Sequence, residues 1–455
     1  MENKRAAFLS LGCKVNSYET DAMEKQFKEA GYTIVDFGDV ADVYVINTCS
    51  VTNMADRKSR QMISRARKNN DKAIVVATGC YVQTAQEDNI KNELKIDIAV
   101  GNNKKGSVLL AVKEYENSGN RQVDIININE KCDYEDTPIE ETLENTRAYI
   151  KIQDGCNQFC SYCIIPYARG RIRSRDKSSV INEVKNLVKN GYKEIVVTGI
   201  HLSSYGLDFM EDTYKMKDYC PFKYEYLLSL LLDINGIDGL ERIRLGSLEP
   251  RIITKEFLDG LKKVTKLCPH FHLSLQSGSN QTLKRMNRKY NTDKYLESLE
   301  LLRRYYDNPG ITTDVIVGFP MESEEEFGET EDFLNKCKFS MMHIFKYSRR
   351  KGTVADRMSG QVDEKVKSER SHKLLELAGK MNKEYCMSYI NTEVEVLLEE
   401  RVTYMNKQYV SGHTSNYIKV LVPVSSISGD IRNEFVKVLL TDYIGENTLM
   451  GQNCK

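Results

Sequence analysis

Short apolar runs, each ending near a glycine or small polar residue and followed by a stretch of helical periodicity, set the rhythm of this chain. Near the amino terminus the runs are 6–11, 43–46 and 73–77. Between the first two, Ser17 can cap a helix that places Met23, Phe27 and Ala30 on one face and stops at Gly31. Asn53 can cap a second helix over 54–68. Strands alternating with helices predict a parallel sheet, whose binding crevice lies beyond the carboxyl ends of its strands. From residue 149 the alternation resumes in longer units, with strand-like runs at 149–153, 194–198, 242–245, 271–275, 312–317 and 342–347 and helical stretches such as 177–190, 224–234 and 324–337. Six units predict an incomplete parallel barrel with its chemistry at the carboxyl ends of the strands. Beyond about residue 391 the period falls to two, over 393–398, 418–422 and 435–440, which predicts a small terminal β-barrel.

The expected fold class is therefore α/β: an N-terminal parallel α/β sandwich, a central partial (β/α)6 barrel and a C-terminal small β-barrel. The corresponding domain limits are 1–105, 146–386 and 387–455. Residues 106–145 read as a linker. A helical piece at 108–115 leads into polar residues and the acidic run Asp133, Glu135, Asp136, Glu140, Glu141 and Glu144, expected to be solvated and poorly packed.

Charge narrows the choices. Lys plus Arg equals Asp plus Glu at 65 each, so any nucleic-acid contact must come from local patches rather than from a bulk polycation. No apolar run approaches the roughly 18 residues of a membrane span, and the first residues hold too short an apolar stretch for a secretory signal. Twelve cysteines in such a chain read as reduced thiols serving metal binding or catalysis, which points to the cytoplasm.

Six of those cysteines stand in two sets. Cys156, Cys160 and Cys163 share one loop just after the 149–153 strand. Three thiolates at this spacing can hold three irons of a [4Fe–4S] cube and leave the fourth iron without a protein ligand. The alternative, a structural zinc knuckle, needs a fourth Cys or His nearby, and the next histidine is His201. Cys13, Cys49 and Cys80 each follow a strand of the first domain, one βα unit apart. They can converge on a second three-cysteine cluster, or be three ordinary cysteines in βα loops. Cys132, Cys220, Cys268, Cys337, Cys386 and Cys454 show no ligand spacing.

The set Gly12-Cys-Lys-Val-Asn16, Asn47-Thr-Cys-Ser-Val-Thr-Asn53, Ala55-Asp-Arg-Lys-Ser-Arg60, Gly79-Cys80, the Cys156 loop with Ile164-Ile-Pro-Tyr-Ala-Arg-Gly170, and Leu275-Gln-Ser-Gly-Ser279 resembles the radical-SAM methylthiotransferases over essentially the whole chain. Within that family the first two cysteine stretches resemble the branch that modifies N6-threonylcarbamoyladenosine in tRNA more than the isopentenyladenosine or ribosomal-protein branches. The resemblance implies a terminal barrel of the TRAM type, two [4Fe–4S] clusters and S-adenosyl-L-methionine (SAM). One cluster would be held by Cys156, Cys160 and Cys163 and an auxiliary one by Cys13, Cys49 and Cys80. It implies methylthiolation of adenine carbon 2 next to the anticodon, with SAM as both radical source and methyl donor. A tRNA substrate, a low-potential electron donor and a sulfur source are then the expected partners. Strand-end residues Tyr162, His201, Ser247, Glu249, Gln276, Asp314 and Gly318 are the expected SAM contacts, because small and polar groups let a ribose or adenine approach closely. No catalytic residue is assigned.

Two basic stretches can meet RNA: Arg169, Arg171, Arg173 and Arg175 after the cluster loop, and Arg57, Lys58, Arg60, Arg65, Arg67 and Lys68 on the second helix. The tail from 387 to 455 carries six basic and eight acidic side chains, so charge does not mark it as an RNA module. Its Tyr389, Tyr404, Tyr409, Tyr417 and Tyr443 can stack bases or fill the barrel, and most are expected in the core.

Overall fold

The computed structural model describes residues 4–85, 95–139, 146–210, 224–427, 431 and 433–454. Cys220, Glu140, Glu141 and Glu144 lie outside them. The first body is a six-stranded parallel sheet of β1 (Arg5–Ser10), β2 (Thr33–Val35), β3 (Val43–Thr48), β4 (Ile74–Gly79), β5 (Ile98–Val100) and β6 (Gln122–Asp124) in the order β2-β1-β3-β4-β5-β6. Apolar layers on both faces bury it, which is why β3 reads as a continuous apolar run rather than an alternating one. The helix after β1 runs Lys14–Glu29 with Cys13 at its cap position, four residues earlier than a Ser17 cap would set. Cys13 is already extended, and its carbonyl accepts from Ser17 N (3.1 Å). The second helix, Asn53–Asn69, is capped by Thr52, whose hydroxyl accepts from Ala55 N (3.1 Å), rather than by Asn53.

The second body is the partial barrel. Its parallel strands are β7 (Arg147–Asp154), β9 (Glu194–Gly199), β10 (Arg242–Leu245), β11 (His270–His272), β12 (Gly310–Val317) and β13 (Met341–Lys346), with the two-residue β8 (Arg173–Ser174) antiparallel at the β7 edge. Single bridges at Ile243–Leu267 and Leu248–Leu273 join β10 to β11 and make the six strands one curved wall. The third body is a closed barrel of β14 (Glu393–Tyr404), β15 (Lys407–Thr414), β16 (Lys419–Pro423), β17 (Phe435–Gly445) and β18 (Thr448–Asn453).

The expected linker is a packed part of the molecule rather than a solvated one. The helix Val108–Ser118 and β6 complete the first sheet. Glu135 accepts from the backbone amides of Lys105 (3.1 Å) and Gly106 (2.7 Å), Asp136 pairs with Arg175 (2.7 Å), and Ile139 sits in the barrel's core. Acidic residues alone read as solvated, but Glu135 and Asp136 each have an amide or cation donor from a different body.

Those contacts belong to a larger buried seam. Glu19, on the first helix, pairs with Arg169 (2.8 Å), Lys151 (2.7 Å) and Lys105. Asp154, at the end of β7, pairs with Arg169 (3.0 Å) and Lys151 (2.7 Å). Arg169 Nη2 also donates to Asn16 Oδ1 (2.6 Å). Beside this network Arg175 pairs with Glu183, which also accepts from Tyr18 OH (3.1 Å). Arg169, Arg173 and Arg175 are therefore almost fully buried, which corrects their reading as an RNA-facing patch: their carboxylate partners take them out of solvent. Arg171 alone of the four stays half-exposed, lying over the Phe159 ring (4.5 Å).

The cationic partners hold the Glu19 carboxyl well below its usual range against the opposing effect of burial. Asp154 is held down in the same way. A carboxyl depressed on folding adds stability that is present above its unfolded value, near 4, and lost as pH falls through its folded one. The seam should thus hold at pH 5 and open only in stronger acid. Glu19→Gln leaves three buried cations short of charge and should destabilise the docking by about 3–5 kcal/mol. Urea unfolding followed from pH 7 down to about pH 2 checks both, with the variant's loss nearly constant to pH 4 and shrinking only in stronger acid.

Candidate active site

β1, β3 and β4 lie side by side, and Cys13, Cys49 and Cys80 follow their carboxyl ends. The sequence thus brings three thiols to one edge of the sheet. Backbone bareness lets them close in: Gly12 has φ +102°, and a Cβ there would lie 2.7 Å from Cys49 Sγ. Burial pushes the Cys49 thiol up to about 11, and the Cys80 and Cys13 sulfurs add to the shift. Asn102 Nδ2 donates to Cys80 Sγ (3.5 Å) and to Ala168 O (2.7 Å), tying this set to the barrel's cysteine loop.

That loop leaves β7 through Gly155, at φ +70°, where a Cβ would meet Arg171 O at 1.8 Å. Cys156 N donates to Gly170 O (3.0 Å), Ser161 N to Met286 O (3.0 Å) and Ala355 N to Ser161 O (2.7 Å), so neighbouring loops pin it on three sides. Arg288 Nη1 donates to Cys160 Sγ (3.3 Å). Burial, then Cys160, raises the Cys163 thiol to about 12, with a further contribution from Cys80. The short helix Cys80–Thr84 also packs on the helix Ile165–Arg169 that follows this loop. Arg350 fastens the arrangement from the far side: its guanidinium donates to Ser50 Oγ (2.7 Å) and Asn53 Oδ1 (2.9 Å) and pairs with Asp56 (2.8 Å), joining the loop after β13 to the Cys49 loop.

The donor sets fit iron–sulfur clusters. Each offers three soft sulfur ligands, and amide or guanidinium N–H groups point at Cys80 and Cys160, the contacts that tune cluster potential. As the described residues stand, no three Cys, His, Asp or Glu side chains are gathered around a single-ion position.

The expected SAM contacts divide. Tyr162 packs edge-on to Phe319 (6.5 Å) within the cluster loop. His201 N donates to Gln153 Oε1 (2.7 Å), its Nδ1 meets Ser204 Oγ (2.6 Å), and burial with Arg288 and Arg251 lowers its ring to about 3, so it is neutral at pH 7. Glu249 is buried; Arg251 Nε donates to its Oε1 (2.5 Å), while its Oε2 has no hydrogen-bond partner in the structure. Burial raises this carboxyl, and Arg251 and Arg288 oppose the rise. A buried acceptor left open beside the cluster loop fits a ligand donor such as a ribose hydroxyl or an amino group. Ser247 is exposed at the same strand end. Gln276 stands further round the wall, with its backbone paired to β12 and φ at +74°. Asp314 faces the lumen against His272 (3.2 Å). Gly318 has a packing reason of its own, since a Cβ would strike Lys367 Cγ at 2.2 Å.

Sequence reasoning missed Arg288, Arg350, Asn102 and Glu19. A signal existed only for the last: Lys151 and Asp154 interrupt a strand that is otherwise buried, and a charge in a buried strand requires a partner.

Residues 150–334 match the Radical SAM superfamily model and residues 5–101 match the uncharacterized protein family UPF0004. The fold and site thus define the class of radical-SAM enzymes. The chain is 45% identical over 417 residues to the threonylcarbamoyladenosine tRNA methylthiotransferase MtaB of Bacillus subtilis (strain 168), covering 91% of this chain and 89% of that one. To the protein of the same name in Aquifex aeolicus it is 40% identical, over 91% and 98% of the two chains. To the tRNA-2-methylthio-N(6)-dimethylallyladenosine synthase of Thermoanaerobacter sp. (strain X514) it is 35% identical, over 93% and 88%. Among solved structures, the radical S-adenosylmethionine methyltransferase TsrM from Kitasatospora setae, with cobalamin and a [4Fe-4S] cluster bound, superposes with a TM-score of 0.53 at 14% identity, over 76% and 72% of the chains, a likeness of fold. This chain belongs to the radical-SAM methylthiotransferases, in the branch of the threonylcarbamoyladenosine enzymes.

If Glu249 Oε2 receives a cofactor hydrogen bond, Glu249→Ala should weaken SAM binding to the reconstituted protein by about tenfold or more. Equilibrium dialysis with labelled SAM checks this; unchanged affinity removes Glu249 from the site.

Proposed function

We propose that this protein replaces the hydrogen on carbon 2 of N6-threonylcarbamoyladenosine in tRNA with a methylthio group. One observation supports the reading beyond family membership: the segments that carry two three-thiol sets on different bodies are tied together, Asn102 beside Cys80 to Ala168, Arg169 to Asn16, and Arg350 to the Cys49 loop. Cys156, Cys160 and Cys163 hold one [4Fe–4S] cluster in this reading, and Cys13, Cys49 and Cys80 the other. When bound, the clusters and SAM supply the radical that removes an unactivated hydrogen and the methylthio group that takes its place.

The chain's own residues place and insulate. The buried seam keeps the two thiol sets at a fixed separation, so that one flipped-out base reaches both. Arg288 donates to a cluster sulfur, and Glu249, Tyr162 and His201 line the side where SAM lies. Entry to this mouth passes the second helix, on which Arg57, Lys58, Arg60, Arg65 and Lys68 are at least partly exposed, whereas Arg67 is held by Asp97 (2.5 Å). The tRNA backbone runs along that stripe. The terminal barrel, which we read as a TRAM domain, spends its tyrosines on packing, with Tyr409 buried, Tyr389 and Tyr443 against its core, and Tyr417 and Tyr389 also meeting the partial barrel. Tyr417 is stacked between His270 (4.8 Å) and His413 (4.7 Å), and Tyr389 donates to Asn308 O (2.6 Å). A low-potential electron donor and a sulfur source complete the reaction in the cytoplasm. No helix among the described residues is long and apolar enough to cross a membrane.

Mass spectrometry of nucleosides from total tRNA, in strains with and without the gene, tests the reading. The 2-methylthio form of threonylcarbamoyladenosine should occur only with it. The isopentenyl analogue instead would move the branch, and no change in any methylthio nucleoside would redirect the search to ribosomal proteins. Cys13→Ala should abolish methylthiolation, remove about half of the iron and leave SAM cleavage to 5′-deoxyadenosine in place. Charge reversal at Arg57, Lys58 and Arg60 together should weaken tRNA binding. It should also lower the slope of log affinity against log salt by about one for each phosphate no longer neutralised. Filter binding from low to high salt measures it.

A further inference from the structure

The last strand of the partial barrel turns an aromatic ring toward the lumen that no cluster and no packing demand accounts for. Side chains alternate along β13. Met342 and Ile344 pack into the outer core, and Lys346 pairs with Glu364 on the helix Glu364–Met387. His343 and Phe345 therefore take the opposite face, toward the lumen. The parallel register agrees, with His343 beside Asp314 of β12 and Phe345 beside Ile316. Phe319 nearby is fully buried and flanked by Tyr162 (6.5 Å) and Tyr347 (5.4 Å). Phe345 instead keeps 46% of its exposure, so it forgoes much of the stabilisation that burial brings a phenyl ring.

Its neighbours fix where that ring lies. On one side, Ile316 packs on the same apolar group as Tyr162 of the Cys156 loop. On the other, Ser348 follows three residues later and its Oγ accepts from Asn53 N (3.0 Å). Arg350, two residues further, holds Ser50 and Asp56. Phe345 thus belongs to the stretch of wall between the loops that carry the two thiol sets. At Asn53 the second helix begins, with its exposed cations. Glu249, with its open acceptor, follows β10, and β11 and β12 stand between that strand and β13.

A purine drawn out of its stack gives up the rings above and below it, and an exposed aromatic face replaces one of them. We propose that Phe345 is the platform on which the adenine ring of the tRNA substrate stacks while its carbon 2 is presented to the thiol-bearing loops. The inference rests on the substrate reading above and adds to it which side chain holds the base. A platform reads the π-face of a base and not the substituent on its exocyclic nitrogen, so the same ring serves any N6-modified adenine. SAM also carries an adenine. Phe345 is assigned to the tRNA base because its strand runs into the loop tied to the basic helix, with two strands between it and the one Glu249 follows.

The test uses the reconstituted holoprotein without reductant and anticodon stem-loops carrying either N6-threonylcarbamoyladenosine or an abasic site at the target position. One base stacked on one aromatic ring is worth about tenfold in affinity. Wild-type protein should therefore bind the modified stem-loop about tenfold more tightly than the abasic one. Phe345→Ala should erase that difference by weakening the modified stem-loop alone. Phe345→Trp should keep the difference, and Phe345→Leu should not. Equal weakening of both stem-loops would reduce Phe345 to a support of the fold. A preference absent in wild-type protein, or retained in Phe345→Ala or Phe345→Leu, would leave the base held by other groups. Each of these overturns the proposal, as does a loss confined to labelled SAM in equilibrium dialysis. Turnover with reductant tests the substrate reading separately. If wild-type protein forms methylthio product only from a dimethylallyladenosine stem-loop, that reading fails, and the same comparison on that stem-loop still decides Phe345.

Discussion

Arg169 is the residue on which the geometry turns. It is fully buried, sits six residues after the last cysteine of the barrel loop, and binds Asn16 and Glu19 on the helix that begins at Cys13. Asp154, just ahead of that loop, closes the same network. One guanidinium therefore refers both thiol sets to a common origin. Its planar fork suits this task, since it engages three partners without a rotatable charge, and a lysine could not reproduce that. The arrangement comes at the expense of desolvating five charged groups, so it is stable only when complete. A buried, mutually satisfied network is poor glue in general but a good specifier of register, and register is what two facing clusters need.

Much of this could be read from the amino acids. The strand runs of the first sheet and most of those of the barrel fall close to their observed limits, because parallel strands buried on both faces are apolar throughout. The short strands β2, β5 and β6 leave no such trace: three residues give no period to detect. Nor do β15 and β18 in the terminal barrel, where Gly412 and Gly451 interrupt the alternation. The Cys156, Cys160 and Cys163 set stands out because its spacing is local, whereas Cys13, Cys49 and Cys80 share only their place after neighbouring strands. The residues that orient them do not stand out, because Arg288, Arg350 and Asn102 act on sulfurs or loops distant in sequence. The arginines after the cluster show the converse error. A row of four cations reads as a surface until the carboxylates that meet it, among them Glu19 on a helix more than a hundred residues earlier, are known.

The basic second helix and the seam express one division of labour. Cations inside the molecule fix distances between its parts, and the cations of the second helix stay at the surface. Neutral overall charge is compatible with RNA binding for this reason: the arginines of the seam are cancelled internally, while a row of exposed cations stands on the helix just after the Cys49 loop.

At the other end of the barrel, the terminal β-barrel covers the amino ends of the strands. Arg147, Arg242 and Arg244, at or near the starts of β7 and β10, bind Glu399, Glu395 O (2.9 Å) and Ser415 O (2.9 Å), and Asn416 O presses where any side chain at Gly310 would stand. The lumen is in effect a vessel with a stopper. With the amino ends of the strands closed in this way, a ligand of the cluster loops approaches along the barrel axis from the carboxyl ends. The stopper thereby gives the barrel a direction without touching a reacting atom.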